Sequence, residues 1–246
     1  MNNIRKLCNA TNLKYLAMYL CFLDYIHQMF EGMGMPLWLT MLGRLVFPIF
    51  LFLAADSFHY THDRLAYLRR HGNVCLMNNA FSTFFIIGIY ICSWDLLAKG
   101  LRDKSYKELI QGLGLFLFPI LSSIPIVVLA GILETPHANP IVVQIVAFIL
   151  SLVPSILIAE GSFMMVILGL LFYIFRTNRM AQIIVLAVIS VIAHLFDPTT
   201  VQWMMIFAVI PMYFYNGERG SGNKNFFYIF YPAHIYLLWI LASFFR

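Results

Sequence analysis

Residues 36–58 read PLWLTMLGRLVFPIFLFLAADSF, an apolar stretch long enough to cross a lipid bilayer as a helix. A spanning helix needs about 20 mostly apolar residues. Comparable stretches occur along the whole chain, at approximately residues 12–30, 36–58, 77–97, 109–133, 140–158, 161–176, 180–196, 201–215 and 226–245. The sequence therefore predicts an all-α protein, a polytopic transmembrane bundle of about nine helices that forms one integral membrane domain over residues 1–246.

The amino-acid composition excludes a water-soluble globule. Hydrophobic residues make up 61% of the chain and charged residues 11%, whereas a soluble domain is about half apolar and about a quarter charged. The lipid bilayer is the solvent that accommodates this excess of apolar surface. No basic run with interleaved aromatic residues indicates a nucleic-acid partner. The four cysteines lack the spacing of metal ligands, so we expect no metal site.

The distribution of basic residues predicts the orientation in the membrane. If the N-terminus is cytoplasmic, most Lys and Arg residues fall on the inside, as the positive-inside rule requires. The basic loop 99–107 then lies outside and opposes that assignment. The first apolar stretch lacks a signal-peptidase cleavage pattern, so we expect it to be retained. We predict a multi-pass protein of the cell membrane with a cytoplasmic N-terminus.

The first span carries ionisable residues on one face. Asp24, His27 and Glu31 are spaced i, i+3 and i+7, which places them on the same side of a helix. Charged groups inside a membrane are costly and often mark a functional site. The alternative interpretation is a polar stripe that stabilises helix packing.

Two further spans carry polar groups. Arg44 lies in the second span, where an ion pair with Asp24 or Glu31 is possible and Pro48 is expected to kink the helix. An ion pair of this kind could be purely structural. In the last span Tyr228, Tyr231 and His234 recur every three residues along one side, and a lone histidine there can equally be a packed core residue.

Two predicted cytoplasmic loops are rich in arginine or glycine. Residues 59–72 read HYTHDRLAYLRRHG and contain Arg64, Arg69 and Arg70. Residues 215–222 read YNGERGSG, where glycines beside Arg219 allow the backbone to approach an anion closely. The alternative interpretation of both loops is ordinary positive-inside charge.

Several of these stretches together resemble the TraX family of membrane acetyltransferases. The matching stretches are LKYLAMYLCFLDYIHQMF (13–30), GRLVFPIFLFLAADSFHYTHDRLAYLRR (43–70), EGSFMMVILGLLFYIFRTNR (160–179), YNGERGSG (215–222) and FFYIFYPAH (226–234). The family commonly has Asp-His where this chain has Asp24-Tyr25, followed here by His27. It commonly has Glu where this chain has Asp56.

The resemblance implies transfer of an acetyl group from cytoplasmic acetyl-CoA to an acceptor at or across the membrane. The acceptor could be a pilin-like or peptide N-terminus, another amine or a hydroxyl. In this chemistry His27 is our candidate general base, oriented by Asp24, with His234 as the second candidate. The candidates for binding acetyl-CoA, whose phosphates suit arginine, are Arg64, Arg69, Arg70, Arg219, Asn216 and Tyr231. Arg44 and Glu31 are candidates for binding the substrate.

Two other classes of function fit the same residues. In a small-molecule or ion transporter the buried charges would line a translocation path, although no inverted repeat is visible. A non-catalytic membrane component of a conjugation or secretion apparatus would use them for packing alone.

Overall fold

The computed structural model describes Arg5 and residues 7–59, 80–133, 141, 153–157, 159, 162–222 and 224–245. Within these residues the regular elements are all helical, which confirms the all-α prediction. The α-helices in chain order are α1 (Ala10–Phe30), α2 (Trp38–Gly43), α3 (Val46–His59), α4 (Ala80–Asp103), α5 (Tyr106–Leu121), α6 (Ser123–Leu133), α7 (Ser162–Ile174), α8 (Arg179–Phe196), α9 (Val209–Phe214) and α10 (Lys224–Phe245). Two 3₁₀ helices cover Glu31–Met33 and Val201–Ala208.

The chain divides into two compact units. The first comprises Met1–Asp56 and Ile174–Arg246, and the second comprises Ser57–Tyr173. A single domain over residues 1–246 remains a prediction.

In the first unit, α1 packs against both α2 and α10. Helix α1 begins where the side chain of Asn9 accepts a hydrogen bond from the amide of Asn12, a standard N-cap. The helix ends in the 3₁₀ turn Glu31–Met33, after which Gly34 adopts the left-handed conformation and turns the chain toward α2. These contacts place the polar positions of α1 beside α2.

The break between α2 and α3 follows from one proline. Pro48 has no amide hydrogen, and its ring clashes with the carbonyl four residues earlier, which belongs to Arg44. The helix is interrupted at Arg44 and Leu45, between Gly43 and Val46. The kink predicted from Pro48 is therefore confirmed, and it lies at Arg44.

In the second unit, α4 and α5 form a closely packed pair. The hydroxyl of Ser93 donates to the carbonyl of Gly112 at 2.8 Å, and Lys99 pairs with Glu108 near the turn that joins the helices. The loop predicted at 99–107 is therefore only two residues long, Lys104 and Ser105, because α4 continues to Asp103.

A second helix break, between α5 and α6, is stabilised by buried hydroxyl groups. Ser123 donates to the carbonyl of Pro119 at 2.9 Å and shares a 2.7 Å hydrogen bond with Ser155. Ser122 donates to the carbonyl of Pro154 at 2.6 Å. The first bond satisfies a carbonyl at the end of α5 and the last satisfies one in the non-helical segment 153–157, as non-helical backbone at membrane depth requires.

Among the described residues, four helical segments are long and apolar enough to cross a membrane: Trp38–Phe58, which includes the break between α2 and α3, Ser82–Asp103, Tyr106–Val128 and Arg179–Phe196. Shorter apolar helices are Phe163–Ile174, Val201–Phe214 and Ala233–Phe244. Helix α1 has 21 residues, but its polar side chains keep it out of the first group. The predicted span 140–158 falls mostly outside the described residues, and residues 153–157 are not helical. The count of about nine spans is therefore not confirmed.

Candidate functional site

A cluster of polar side chains joins α1 to the end of α2. Thr40 donates a hydrogen bond to Asp24 and accepts one from the Arg44 Nη2 atom at 3.0 Å. Gln28 donates to the second oxygen of Asp24 at 3.0 Å. The Arg44 Nη2 atom lies 3.9 Å from Asp24 Oδ1. The predicted Asp24–Arg44 ion pair is confirmed, whereas Thr40 was missed, although its position four residues before Arg44 places it on the same helix face.

The Arg44 guanidinium has a buried N–H group that makes no hydrogen bond within the described structure. Its Nε atom is buried and has no hydrogen-bond acceptor among the described residues. The whole side chain is 33% exposed, and that of Asp24 is 17% exposed. A buried donor without an acceptor costs about 1–3 kcal/mol, and more when the group is charged. The cluster is therefore a partly enclosed charged pair with a free N–H group.

His27 is buried on α1, one turn beyond Asp24. Its exposed fraction is 7%, and no hydrogen bond or ion pair links it to another described residue. The hydrogen bonds and ion pair of the Asp24 carboxylate go instead to Thr40, Gln28 and Arg44. The predicted orientation of His27 by Asp24 is thus not seen, because α2 supplies nearer polar partners for the carboxylate.

His234 lies in α10 among aromatic rings. It is 4% exposed, stacks on Phe230 with 4.8 Å between ring centroids, and meets the edge of Tyr25 at 5.3 Å. Its Nδ1 atom lies 2.7 Å from the carbonyl oxygen of Phe230. Because a carbonyl only accepts hydrogen bonds, Nδ1 carries the hydrogen and the neutral ring has its basic lone pair on Nε2.

The two histidines approach different sides of α1. Tyr25, which contacts His234, precedes His27 by two residues, a rotation of about 200° around a helix. Asp24 and His27 are three residues apart and so differ by only about 60°. His27 therefore shares a side of α1 with the Arg44 cluster, by which we mean Asp24, Gln28, Thr40 and Arg44. His234 lies on the side of Tyr25.

Other predicted site residues lie apart from this cluster or outside the described part of the chain. Glu31 begins the 3₁₀ turn and is exposed, with no side-chain hydrogen bond or ion pair to a described residue. The side chain of Tyr231 lies outside the described structure, as do Arg64, Arg69 and Arg70.

The loop 215–222 caps the start of α1. The carbonyls of Glu218 and Arg219 accept hydrogen bonds from the amides of Ala10 and Thr11 at 2.8 and 3.1 Å. Gly220 has a φ of 71°, and a Cβ atom there would lie 2.5 Å from Asn9 Oδ1. The glycine-rich sequence thus lets the loop reach the helix N-terminus, whose donors the loop carbonyls then satisfy.

The predicted ligand-binding side chains of this loop are exposed or bond within the loop. Arg219 is exposed, and the amide group of Asn216 donates to Glu218 at 3.0 Å. Whether Asn216 and Arg219 bind acetyl-CoA stays a prediction.

Arg179 was missed as an organising residue. Its guanidinium lies over the rings of Phe52 and Tyr215, 5.2 and 4.9 Å from their centroids. Its Nη1 atom donates to the carbonyls of Met212 and Tyr215 at 3.0 and 2.7 Å, which satisfies carbonyls at the end of α9. The hydroxyl of Tyr215 in turn donates to Asp56 at 3.2 Å. No signal in the sequence distinguishes Arg179 from the other interfacial arginines.

Asp95 was also missed. It lies within α4 and accepts a hydrogen bond at 2.8 Å from the buried hydroxyl of Tyr173 in α7. An acidic residue inside an apolar span was the available signal. Within the described residues, no group of three or more His, Cys, Asp or Glu side chains could hold a metal ion.

Comparison with known proteins identifies the family. The family model described as TraX protein matches residues 9–242, which include every part of the Arg44 cluster and both buried histidines. No curated protein and no solved structure matches the chain. Because the family match covers nearly the whole chain, this protein belongs to the TraX family.

Proposed function

We propose that this protein is a membrane-embedded acetyltransferase that moves an acetyl group from cytoplasmic acetyl-CoA to an acceptor at or across the membrane. The observation that carries the proposal is the polar cluster of Asp24, Thr40 and Arg44, with buried His27 one turn away on α1. Charged and titratable groups are retained inside apolar helices when they serve chemistry or transport. Membership of the TraX family supports the acyl-transfer interpretation.

The reaction needs a base and stabilisation of developing charge. The acceptor amine or hydroxyl attacks the thioester carbonyl carbon, and His27 removes the proton that the acceptor loses. The tetrahedral intermediate then expels the coenzyme A thiolate, so the carbon–sulfur bond breaks and a carbon–nitrogen or carbon–oxygen bond remains. The proton held by His27 passes to the departing thiolate. Reactants and products balance without any further co-reactant.

Acetyl-CoA is the donor in this proposal, and its phosphates are bound at the cytoplasmic side. The candidates are Arg64, Arg69, Arg70 and Arg219, because arginine forms bidentate hydrogen bonds with phosphate. Glu31 could attract a cationic acceptor amine. The acceptor then approaches from the outer side, and a pilin-like or peptide N-terminus is one such acceptor.

The test is transfer by the purified protein in lipid nanodiscs with radiolabelled acetyl-CoA and a panel of amine and hydroxyl acceptors. Release of coenzyme A together with a labelled acceptor supports the proposal. His27→Ala should abolish transfer while leaving acetyl-CoA binding intact, and His194→Ala, at an exposed histidine, is the matched control. Loss in His234→Ala with normal turnover in His27→Ala would move the base to α10. Binding without transfer to any acceptor would refute the enzyme and favour a transporter or an assembly component.

The proposed orientation has its own test. We propose a cytoplasmic N-terminus, which places Cys75 on the cytoplasmic side. With the other three cysteines replaced by serine, an impermeant maleimide should label Cys75 only after the cells are permeabilised. Labelling in intact cells would reverse the orientation and with it the side from which acetyl-CoA enters.

A further inference from the structure

We propose that the Arg44 Nε–H group is the hydrogen-bond donor to the carbonyl oxygen of the acyl thioester, and that it stabilises the oxyanion formed during transfer. This inference rests on the proposed acetyltransferase function and assigns the part of the donor that the Arg44 cluster recognises. It follows from the charge, the hydrogen bonding and the packing of the cluster.

The charge of the cluster selects the kind of group that it binds. The positive charge of Arg44 is paired with the negative charge of Asp24, 3.9 Å away, so the two together are close to neutral. A phosphate, which carries one or two negative charges, gains little from a neutralised arginine and also meets the Asp24 carboxylate. A neutral carbonyl oxygen meets no such repulsion, and its hydrogen bond strengthens as negative charge develops on it.

The hydrogen bonding and burial of the cluster distinguish Nε–H from the other N–H groups of Arg44. Nη2 of Arg44 already donates to Thr40, whereas Nε is buried and has no acceptor among the described residues. A buried guanidinium N–H without an acceptor carries a desolvation cost that a ligand oxygen would remove. The side chain as a whole is 33% exposed although Nε itself is buried, so a ligand that approaches along the guanidinium must displace the groups that cover Nε.

The packing around Arg44 holds the donor in place before the ligand arrives. Thr40 bridges the Arg44 guanidinium to Asp24, and Gln28 holds the other oxygen of that carboxylate at 3.0 Å. Gly43 lets α2 approach α1 closely, since a Cβ atom at that position would lie 2.5 Å from two carbon atoms of Asp24. A donor fixed in this way does not need to reorganise during the reaction, which is the basis of oxyanion stabilisation. Thr40 is therefore a positioning residue for Arg44.

Arg44 acts at the step in which the carbonyl oxygen of the thioester becomes an oxyanion. When the acceptor attacks the carbonyl carbon, the π electrons of the C=O bond move to oxygen, which becomes an oxyanion hydrogen-bonded to Nε–H. When the oxyanion collapses, the C=O bond re-forms and the carbon–sulfur bond electrons leave with the thiolate. Arg44 keeps its proton throughout. His27, on the same side of α1, is the proposed base for the attacking group.

The experiment compares Arg44→Lys, Arg44→Gln and wild type, with Arg102→Gln at an exposed arginine as the matched control. Arg44→Lys keeps the positive charge beside Asp24 but removes Nε–H. We expect kcat for acetyl transfer to fall about 10²–10³-fold in both Arg44 variants, with KM for acetyl-CoA little changed. Arg102→Gln should match wild type.

A binding measurement tests the contact between Arg44 and the carbonyl oxygen without requiring catalytic turnover. Ethyl-CoA is a thioether that lacks the carbonyl oxygen, so wild type should bind acetyl-CoA about 2–10-fold more tightly than ethyl-CoA. That preference should disappear in both Arg44 variants, while affinity for free coenzyme A stays the same. A fall in coenzyme A affinity instead would assign Arg44 to a phosphate and overturn the inference.

The outcomes distinguish the inference from the proposed function. Transfer by wild type with normal kcat in Arg44→Lys would overturn the role of Nε–H and leave the acetyltransferase intact. Absence of transfer in wild type would refute the enzyme, and the ethyl-CoA comparison would still decide whether Arg44 contacts a carbonyl. If neither Arg44 variant folds, Thr40→Val decides: a fall in kcat of about tenfold or more, with KM unchanged, supports the inference, and a normal kcat overturns it.

Discussion

The close approach of α1 and α2 at Gly43 predicts that Gly43→Ala destabilises the protein. A Cβ atom at residue 43 would lie 2.5 Å from Asp24 Cβ and Cγ and 2.9 Å from Oδ1. Carbon atoms in ordinary contact are about 3.5–4.0 Å apart, so the helices must separate by about 1 Å or Asp24 must leave its partners. Over-packing of this kind costs about 1–3 kcal/mol.

The control for this variant is Gly114→Ala in α5. A Cβ atom at Gly114 has nothing within 4 Å, so that substitution reports only the helix preference of alanine over glycine. This preference stabilises a helix interior by about 0.5–1 kcal/mol, and Gly43, the last residue of α2, gains no more than that. Gly43→Ala should therefore be less stable than Gly114→Ala by the packing cost, about 1–3 kcal/mol.

The assay is equilibrium unfolding in mixed micelles, followed by helical circular dichroism as the fraction of denaturing detergent rises. A difference below about 0.5 kcal/mol between the two variants would be that of an ordinary surface substitution. It would refute the close contact of Gly43 with Asp24 and, with it, the fixed geometry of the Arg44 cluster.

Three further predictions concern other parts of the protein. Arg179→Lys removes the planar group that covers two aromatic rings and donates to two carbonyls, so we expect a loss of about 1–3 kcal/mol in the same unfolding assay. Ser123→Ala and Ser155→Ala should each cost about 1–3 kcal/mol, and the double variant less than their sum, since both single changes remove the same bond between the two hydroxyls. Hydrogen bonds from Thr199 lower the pKa of Asp197, so the stability that they add is present above the unfolded-state pKa of about 3.9 and is lost as pH falls through the lower folded-state pKa. Thr199→Val should therefore lower Tm at neutral pH but not in strong acid.

Each of these predictions has a contradicting result. Arg102→Lys, at an exposed arginine, should leave the free energy of unfolding unchanged. If Arg179→Lys also leaves it unchanged, the contacts of Arg179 with the two aromatic rings and two carbonyls do not stabilise the protein. Strict additivity of Ser123→Ala and Ser155→Ala would exclude a direct bond between the hydroxyls. A Thr199→Val effect that persists unchanged at the acid limit would exclude the Asp197 carboxylate as its cause.

Much of the fold could be predicted because a membrane helix is determined by the residues of one continuous stretch of sequence. Long apolar stretches predict the positions of α1, α4, α8 and α10, since every backbone group in lipid must be bonded within its own segment. Pro48 predicts the helix break, because a proline disturbs the carbonyl four residues before it. The presence of Arg44 and Asp24 inside two apolar stretches likewise predicts that they need partners.

The choice among partners was decided by tertiary structure. From the sequence we predicted that Arg44 pairs with Asp24 or Glu31 and that Asp24 orients His27. In the structure α2 packs on α1 so that Asp24 bonds with Thr40 and pairs with Arg44. That outcome depends on how far α1 is rotated about its axis and how closely Gly43 lets α2 approach.

Tertiary structure also decided the contacts between segments that are far apart in the sequence. The loop at 215–222 satisfies the first amides of α1, and His234 meets Tyr25 rather than His27. Hydropathy and spacing fix which residues are helical and which share a face of their own helix. They do not fix the rotation of one helix against another, because that depends on side-chain contacts between segments separated by as many as 208 residues.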